Sequence, residues 1–276
     1  MEHSCSYQYY DVFSSRGTGG NGALVIEDQG LSRDAKQKIA TGAKLSETVF
    51  VKKNDGVFSM EFYTPVEEVA LCGHGTLAGL HFIKEHWGIV LDRVQTKGGA
   101  VEAVHEEGLF YIHLGKARLV KELVDGEGLN EALGVPWEDL FLEGMSPRIY
   151  ATGISDIICP VRSKEILDRI TVDRDCMKRI SRKLGVVGCH IFTMAEPGVI
   201  HVRNFAPLYG IDEESATGTS NNSVITYLRE KEGRLGEKGI IHQGQGSLKG
   251  LLRFRILADK IFIGGEVAKI DKIFEI

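Results

Sequence analysis

The sequence predicts an α+β protein made of two pseudo-symmetric halves, each a curved sheet wrapped around one central helix. Three observations predict it. The chain repeats itself in order; its extended segments alternate apolar and polar residues; and one helix is apolar on almost every face. The repeat starts with "AKQKIATGAKLSETVFV", Ala35 to Val51, which reads as an amphipathic helix, a short loop and a strand. "CMKRISRKLGVVGCHIFTM", Cys176 to Met194, reads the same way. "MEFYTP", Met60 to Pro65, then answers "VRNFAP", Val202 to Pro207. Gly73 follows Pro65 by eight residues and Gly218 follows Pro207 by eleven, and each opens a glycine-rich stretch before a helix. "QTKGGAVEAV" answers "HQGQGSLKGLL", and "LFYIHLGKARLV" answers "KIFIGGEVAKI". Even the opening "YDVFSSRGTGGNGALVIE" has a counterpart in "RIYATGISDIICPV". Several matches in one order define two homologous halves.

Period-2 patterns mark strands at "TVFVKK", "FSMEFYTP", "AVEAVHEE", "LFYIHL", "CHIFTM", "LLRFRIL" and "KIFIGGEV". The helix "TLAGLHFIKEH" is apolar or small over its first eight residues apart from Thr76 and His81. A helix apolar all round is a buried helix. The halves are expected at residues 1–117 and 118–276, leaving open that the last strand returns to the N-terminal half. The acidic linker near residues 117 to 148 holds one short helix, Leu129 to Leu133.

Bulk properties exclude several classes. A net charge of −5 with no Lys/Arg block gives no footprint for nucleic acid or an anionic membrane. No apolar run approaches the ~20 residues needed to span a bilayer. "MEHSCSYQYY" is not a signal peptide, so the cytoplasm is the expected location. The five cysteines, Cys5, Cys72, Cys159, Cys176 and Cys189, form no C-x-x-C pair and read as reduced thiols. H-E-x-x-H is absent and no Cys/His spacing suits zinc, so no metal is expected. "GTGGNG", Gly17 to Gly22, runs into a strand rather than a helix and fails as a dinucleotide fingerprint.

"CGHGT" and "ATGTSNNS" each end an extended segment and open a helix. First-turn amides lack internal partners, the helix dipole adds positive charge, and glycines allow close approach. Thr76, Thr219 and Ser220 are expected as caps. Each stretch can hold an anion, and as repeat-equivalent starts the two are expected to face one another across a cleft and grip a small carboxylate.

"YYDVFSSRGTGGNGALVI", "GLSRDAKQKIATGAKLSETVFV", "EFYTPVEEVALCGHGTLAG" and "FAPLYGIDEESATGTSNNSV" together resemble the phenazine-biosynthesis PhzF-like family. That family shares its fold with diaminopimelate epimerase and proline racemase, and the resemblance runs along nearly the whole chain. It implies a cofactor-independent isomerase and a homodimer. The related thiol racemases resemble this chain at "CGHG", where Cys72 would be one base. Their second cysteine is expected here at Ala216, so Cys72 has no thiol partner for a two-base mechanism. The PhzF-like enzymes use a carboxylate, which falls at Glu47 in "SETVFV". Set between Leu45 and an apolar run, Glu47 is expected to be partly enclosed, with its acidity lowered by desolvation.

His74 falls at the family's histidine, placed to hydrogen-bond substrate or relay a proton. Glu214 stands where the family usually has Asp, and Ser215 where Pro is common. The resulting expectation is an isomerase of a small carboxylate-bearing metabolite. Glu47 removes a proton and returns it elsewhere, and His74 and Glu214 orient the substrate. Gly73, Gly75, Thr76, Thr217, Gly218, Thr219 and Ser220 hold its carboxylate. The rival readings are a thiol-type amino-acid epimerase or racemase using Cys72, and a non-catalytic small-acid-binding protein.

Overall fold

A computed structural model describes residues 6–15, 18–124, 126–142, 144–230, 235–246 and 249–272; Cys5 and Gly17 lie outside them. The chain forms two compact units. Unit 1 is Met1–His113 with Gly264–Ile276, and unit 2 is Leu114–Ile263.

Unit 1 begins with β1 (Tyr7–Val12) and β2 (Asn21–Glu27), followed by α1 (Arg33–Ala43) and β3 (Glu47–Asn54). It continues with β4 (Val57–Tyr63), β5 (Glu68–Val69), α2 (Gly73–Trp87), β6 (Arg93–Thr96), β7 (Gly99–Glu106) and β8 (Leu109–His113). β2 and β3 pair in parallel with Ala23 opposite Glu47, and α1 is the crossover between them. Ser32 caps α1 by accepting from Ala35 N–H. β3 and β4 form a hairpin with Asn54 opposite Val57. Its two turn residues, Asp55 and Gly56, both have positive φ, 48° and 82°, as a tight hairpin turn of this twist demands.

α2 occupies the centre of unit 1, packed against β1, β2, β3 and β8. Thr76 to Ile83 are buried except His81, matching the all-round apolar pattern. Gly88, in the left-handed conformation at φ 68°, ends the helix with its N–H on Lys84 O.

Unit 2 repeats this frame. It contains β9 (Arg118–Glu122), α3 (Leu129–Leu133), β10 (Arg148–Thr152), β11 (Ile154–Pro160), α4 (Lys164–Arg169) and α5 (Arg174–Leu184). Then come β12 (Cys189–Glu196), β13 (Val199–Ala206), β14 (Ile211–Glu214), α6 (Gly218–Arg229), β15 (Lys238–Gln243), β16 (Gly250–Leu257) and β17 (Lys260–Gly265), whose last two residues count with unit 1. β18 (Val267–Ile270) pairs with β1 in unit 1.

β11 and β12 pair in parallel with Ile157 opposite Cys189, as β2 and β3 do. β13 and β15 pair in parallel around α6, as β4 and β6 do around α2. The packed faces differ. Leu129, Leu133, Leu167, Met177 and Ile180, from α3, α4 and α5, cover unit 2's sheet. Unit 1 has α1 alone there, with Ala40 against Leu24, Ile26 and Phe50.

Candidate active site

Glu47 is the first residue of β3, and its side chain is buried, with 4% of the residue exposed. The start of α2 lies against it because Gly75 has no side chain. A Cβ there would stand 3.0 Å from Val49, 3.1 Å from Phe62 and 3.3 Å from the Cγ of Glu47. Desolvation pushes the Glu47 carboxyl up to about 7, against the opposing effect of a hydrogen bond with Cys72. Its Oε1 is buried with no hydrogen-bond partner among the described residues.

Cys72, not Thr76, is the cap of α2. Its backbone is extended, and its sulfur accepts from Gly75 N–H at 3.4 Å. Thr76 sits one turn inside: its N–H bonds Cys72 O at 2.9 Å and its Oγ1 donates to the same carbonyl at 2.7 Å. Gly75 and Thr76 amides are thus engaged locally, and among the described residues those of Gly73 and His74 remain as the orphan donors of this turn. The His74 ring lies 3.3 Å from Cys72 Sγ through Nδ1 and 3.4 Å from Ser46 Oγ through Nε2. Burial pushes His74 down to about 4, so the ring is neutral near pH 7.

One oxygen of Glu47, the sulfur of Cys72 and a ring nitrogen of His74 lie within 4.8 Å of one another. Sequence spacing hid this, because Glu47 reaches the pair from another element. Donors at this separation can surround one ion. Here the sulfur accepts from Gly75 N–H at 3.4 Å and lies 3.3 Å from His74 Nδ1, an arrangement of acid and base groups around the Glu47 carboxyl.

In unit 2, α6 starts at Gly218 with Thr217 as its cap residue, where no side-chain cap bond forms. Thr219 and Ser220 therefore lie inside the helix rather than capping it. The helix starts also align Cys72 with Thr217, not with Ala216, as the residue immediately before the first helical glycine. Ala216 is buried at 3% exposure. Neither alignment supplies a second thiol.

Thr217 is held by a residue the sequence reading did not single out. Gln243 Oε1 accepts from Thr217 N–H at 3.0 Å, while Gln243 Nε2 donates to Thr217 Oγ1 and to Glu214 O, both at 2.9 Å. Thr217 Oγ1 donates to Glu214 Oε2 at 3.2 Å, so the half-buried Glu214 carboxylate lies beside the helix start. Ser220 Oγ donates to Asp156 Oδ2 at 2.6 Å. Desolvation pushes the buried Asp156 up to about 6, opposed by the bonds from Ser220 and the Gly188 amide. Behind it, Asn204 Nδ2 donates to His190 Nδ1 at 2.9 Å, so His190 donates from Nε2 to Asn221 Oδ1 at 3.1 Å. Asp156 immediately precedes the apolar run Ile157–Cys159 and Gln243 ends the strand Lys238–Gln243; that placement is the signal that could have marked them.

Comparison with known proteins fits this architecture. The family model described as phenazine biosynthesis-like protein, PhzC-PhzF, matches residues 10–260. The uncharacterised isomerase YfhB of Bacillus subtilis is 30% identical over 249 residues, covering 86% of this chain and 85% of that one. The crystal structure of a Bacillus anthracis phenazine biosynthesis protein of the PhzF family superposes with a TM-score of 0.80 at 21% identity, covering 96% of each chain. A hydroxyproline epimerase from Agrobacterium vitis, solved with trans-4-hydroxy-L-proline, shares the fold at a TM-score of 0.64 and 10% identity, over 98% of this chain and 92% of that one. Fold and relatives together define an isomerase on an epimerase-type scaffold. The chain belongs to the phenazine biosynthesis-like, PhzC-PhzF, family. Among the described residues no helix is long and apolar enough to cross a membrane.

Proposed function

We propose that this isomerase moves a proton on a small carboxylate-bearing metabolite with Glu47 as its single proton carrier. The observation that carries the reading is the Glu47 carboxyl itself: buried, raised to about 7, with one oxygen that has no hydrogen-bond partner. Such a group both takes and gives a proton near neutral pH. His74, neutral, polarises or orients the substrate. The Gly73 and His74 amides provide an anion-holding helix start in unit 1. In unit 2 the proposal assigns the same task to the turn from Thr217 to Ser220, with Glu214 beside it.

The thiol-epimerase alternative needs acids on opposite faces of a stereocentre. Glu47, Cys72 and His74 donors within 4.8 Å of one another serve one face, which favours removal and return of the proton by one carboxylate. Cys72→Ala is accordingly expected to slow turnover by no more than about tenfold, or about 1.4 kcal/mol of barrier. Complete loss in a folded Cys72→Ala protein would restore the thiol mechanism.

The test of function is isotopic. The protein is incubated with a metabolite extract in D₂O and the products are read by mass spectrometry. An isomerase working this way puts deuterium onto a carbon of one small acid; a pure binder labels none. On the substrate so found, turnover should rise with pH through about 7, because only the ionised Glu47 accepts a proton. A rate flat from pH 5 to 9 would remove Glu47 from the step.

A further inference from the structure

The hydrogen bonds around Glu47 acquire directions because one end of the chain of contacts is fixed. Gly22 O can only accept, and Ser46 Oγ donates its single proton to it at 2.9 Å. Ser46 then only accepts from His74 Nε2, 3.4 Å away, so Nε2 carries the hydrogen. A neutral imidazole has one N–H, which leaves Nδ1 bare. Nδ1 is the ring nitrogen nearer Cys72 Sγ, at 3.3 Å against 3.9 Å for Nε2. The thiol therefore lies beside one acceptor, His74 Nδ1, and within 4.8 Å of a second, a Glu47 carboxyl oxygen, while Gly75 N–H donates to its sulfur. It has one proton for two acceptors.

We propose that Cys72 is a positioning residue, a hydrogen-bond switch that follows the proton on Glu47. Its S–H turns to the Glu47 carboxylate when that group is ionised, and to His74 Nδ1 when Glu47 holds a proton and donates it to the sulfur. The proposal rests on Glu47 as proton carrier. No proton leaves Cys72 in either state; only the direction of its S–H changes. Both forms of Glu47 stay hydrogen-bonded in a site where an unmet polar group is costly. Among the described residues, the Cys, His, Asp and Glu side chains clustered with Glu47 are Cys72, the cap of α2, and His74 in its first turn. The partner of Glu47 on β2, Ala23, is apolar, as are Val49 and Phe62 around the same turn.

The test needs no substrate and uses the full chain. Proton–nitrogen correlation spectra should show His74 with hydrogen on Nε2. In infrared difference spectra, wild type minus Cys72→Ala, the S–H band should shift with pH at the midpoint of the Glu47 carboxyl band, and stay still in Glu47→Gln. Cys72→Ala should raise that carboxyl midpoint by about one pH unit, the effect of losing a donor to the charged form. Cys72→Ser, which keeps a two-way donor and the cap, should bring it back. Hydrogen on Nδ1 of His74, an S–H band indifferent to Glu47, or equal midpoints in wild type and Cys72→Ala would each overturn the switch. Should Cys72→Ala unfold, the wild-type, Cys72→Ser and Glu47→Gln spectra still decide. Full turnover by Glu47→Gln would instead overturn the proton-carrier reading, and these spectra would not register it.

Discussion

Glu47→Gln is expected to fold as the wild type does and to turn over about 10²–10⁴-fold more slowly, the usual contribution of a general base. The amide has the same shape and cannot accept the proton. The same substitution tests the burial argument from the other side. A carboxyl raised from 4.5 to about 7 on folding holds its proton more tightly in the native state. Its ionisation therefore opposes folding increasingly as pH climbs from the unfolded value through 7. At pH 8 Glu47→Gln should melt above the wild type, and at pH 4 the gain should vanish. Thermal melts at the two pH values, with steady-state rates on the isotopically identified substrate, check both halves. Wild-type kcat in the Gln variant would end the mechanism.

Lys36→Ala is expected to lose about 3–5 kcal/mol of stability at pH 7, the cost of stranding a buried charge. Lys36 sits on α1 with its ammonium 2.7 Å from Asp28 and 2.9 Å from Glu61. The Lys36 and Asp28 side chains are only 5% and 2% exposed. Asp28 also accepts from the amides of Gly30 and Leu31, each at 2.9 Å. Burial works against the Asp28 charge, but the Lys36 bond and these amides outweigh it and hold the carboxyl below its usual value. Asp28 thus contributes stability that is present above the unfolded carboxylate range and lost as pH falls through its lower folded value. Urea titration at pH 7 reads the loss. A Lys36→Ala protein within about 1 kcal/mol of wild type would show the pair to be dispensable, and adding Asp28→Leu should recover part of the loss.

The sequence made the frame readable because periodicity and order suffice for it. Thr76 to Ile83 could only be buried, and "SETVFV" put a carboxylate at the mouth of an apolar strand. Lys36 could not be read, since a lysine on an amphipathic helix is ordinarily solvated and its acids lie on other elements. The meeting of Glu47 with Cys72 and His74 was hidden for the same reason: the contact depends on Gly75 having no side chain, a property of packing rather than spacing. The caps were misplaced because Thr76 and Ser220 have the right chemistry one turn too far along, where their hydroxyls serve Cys72 O and Asp156 instead.

The registers of β2 with β3 and of β11 with β12 make Cys189 the counterpart of Glu47. Both open a strand of the same burial pattern, yet Cys189 is wholly enclosed, and burial pushes its thiol up beside Cys159. Its proton is locked in place. The same position of the strand frame thus carries a carboxyl raised to about 7 in unit 1 and an enclosed thiol held protonated in unit 2. Substitutions at Cys189 should then be limited by volume, and those at Glu47, under the proposed mechanism, by acidity. Two halves alike in their strand frame are therefore not interchangeable at this position.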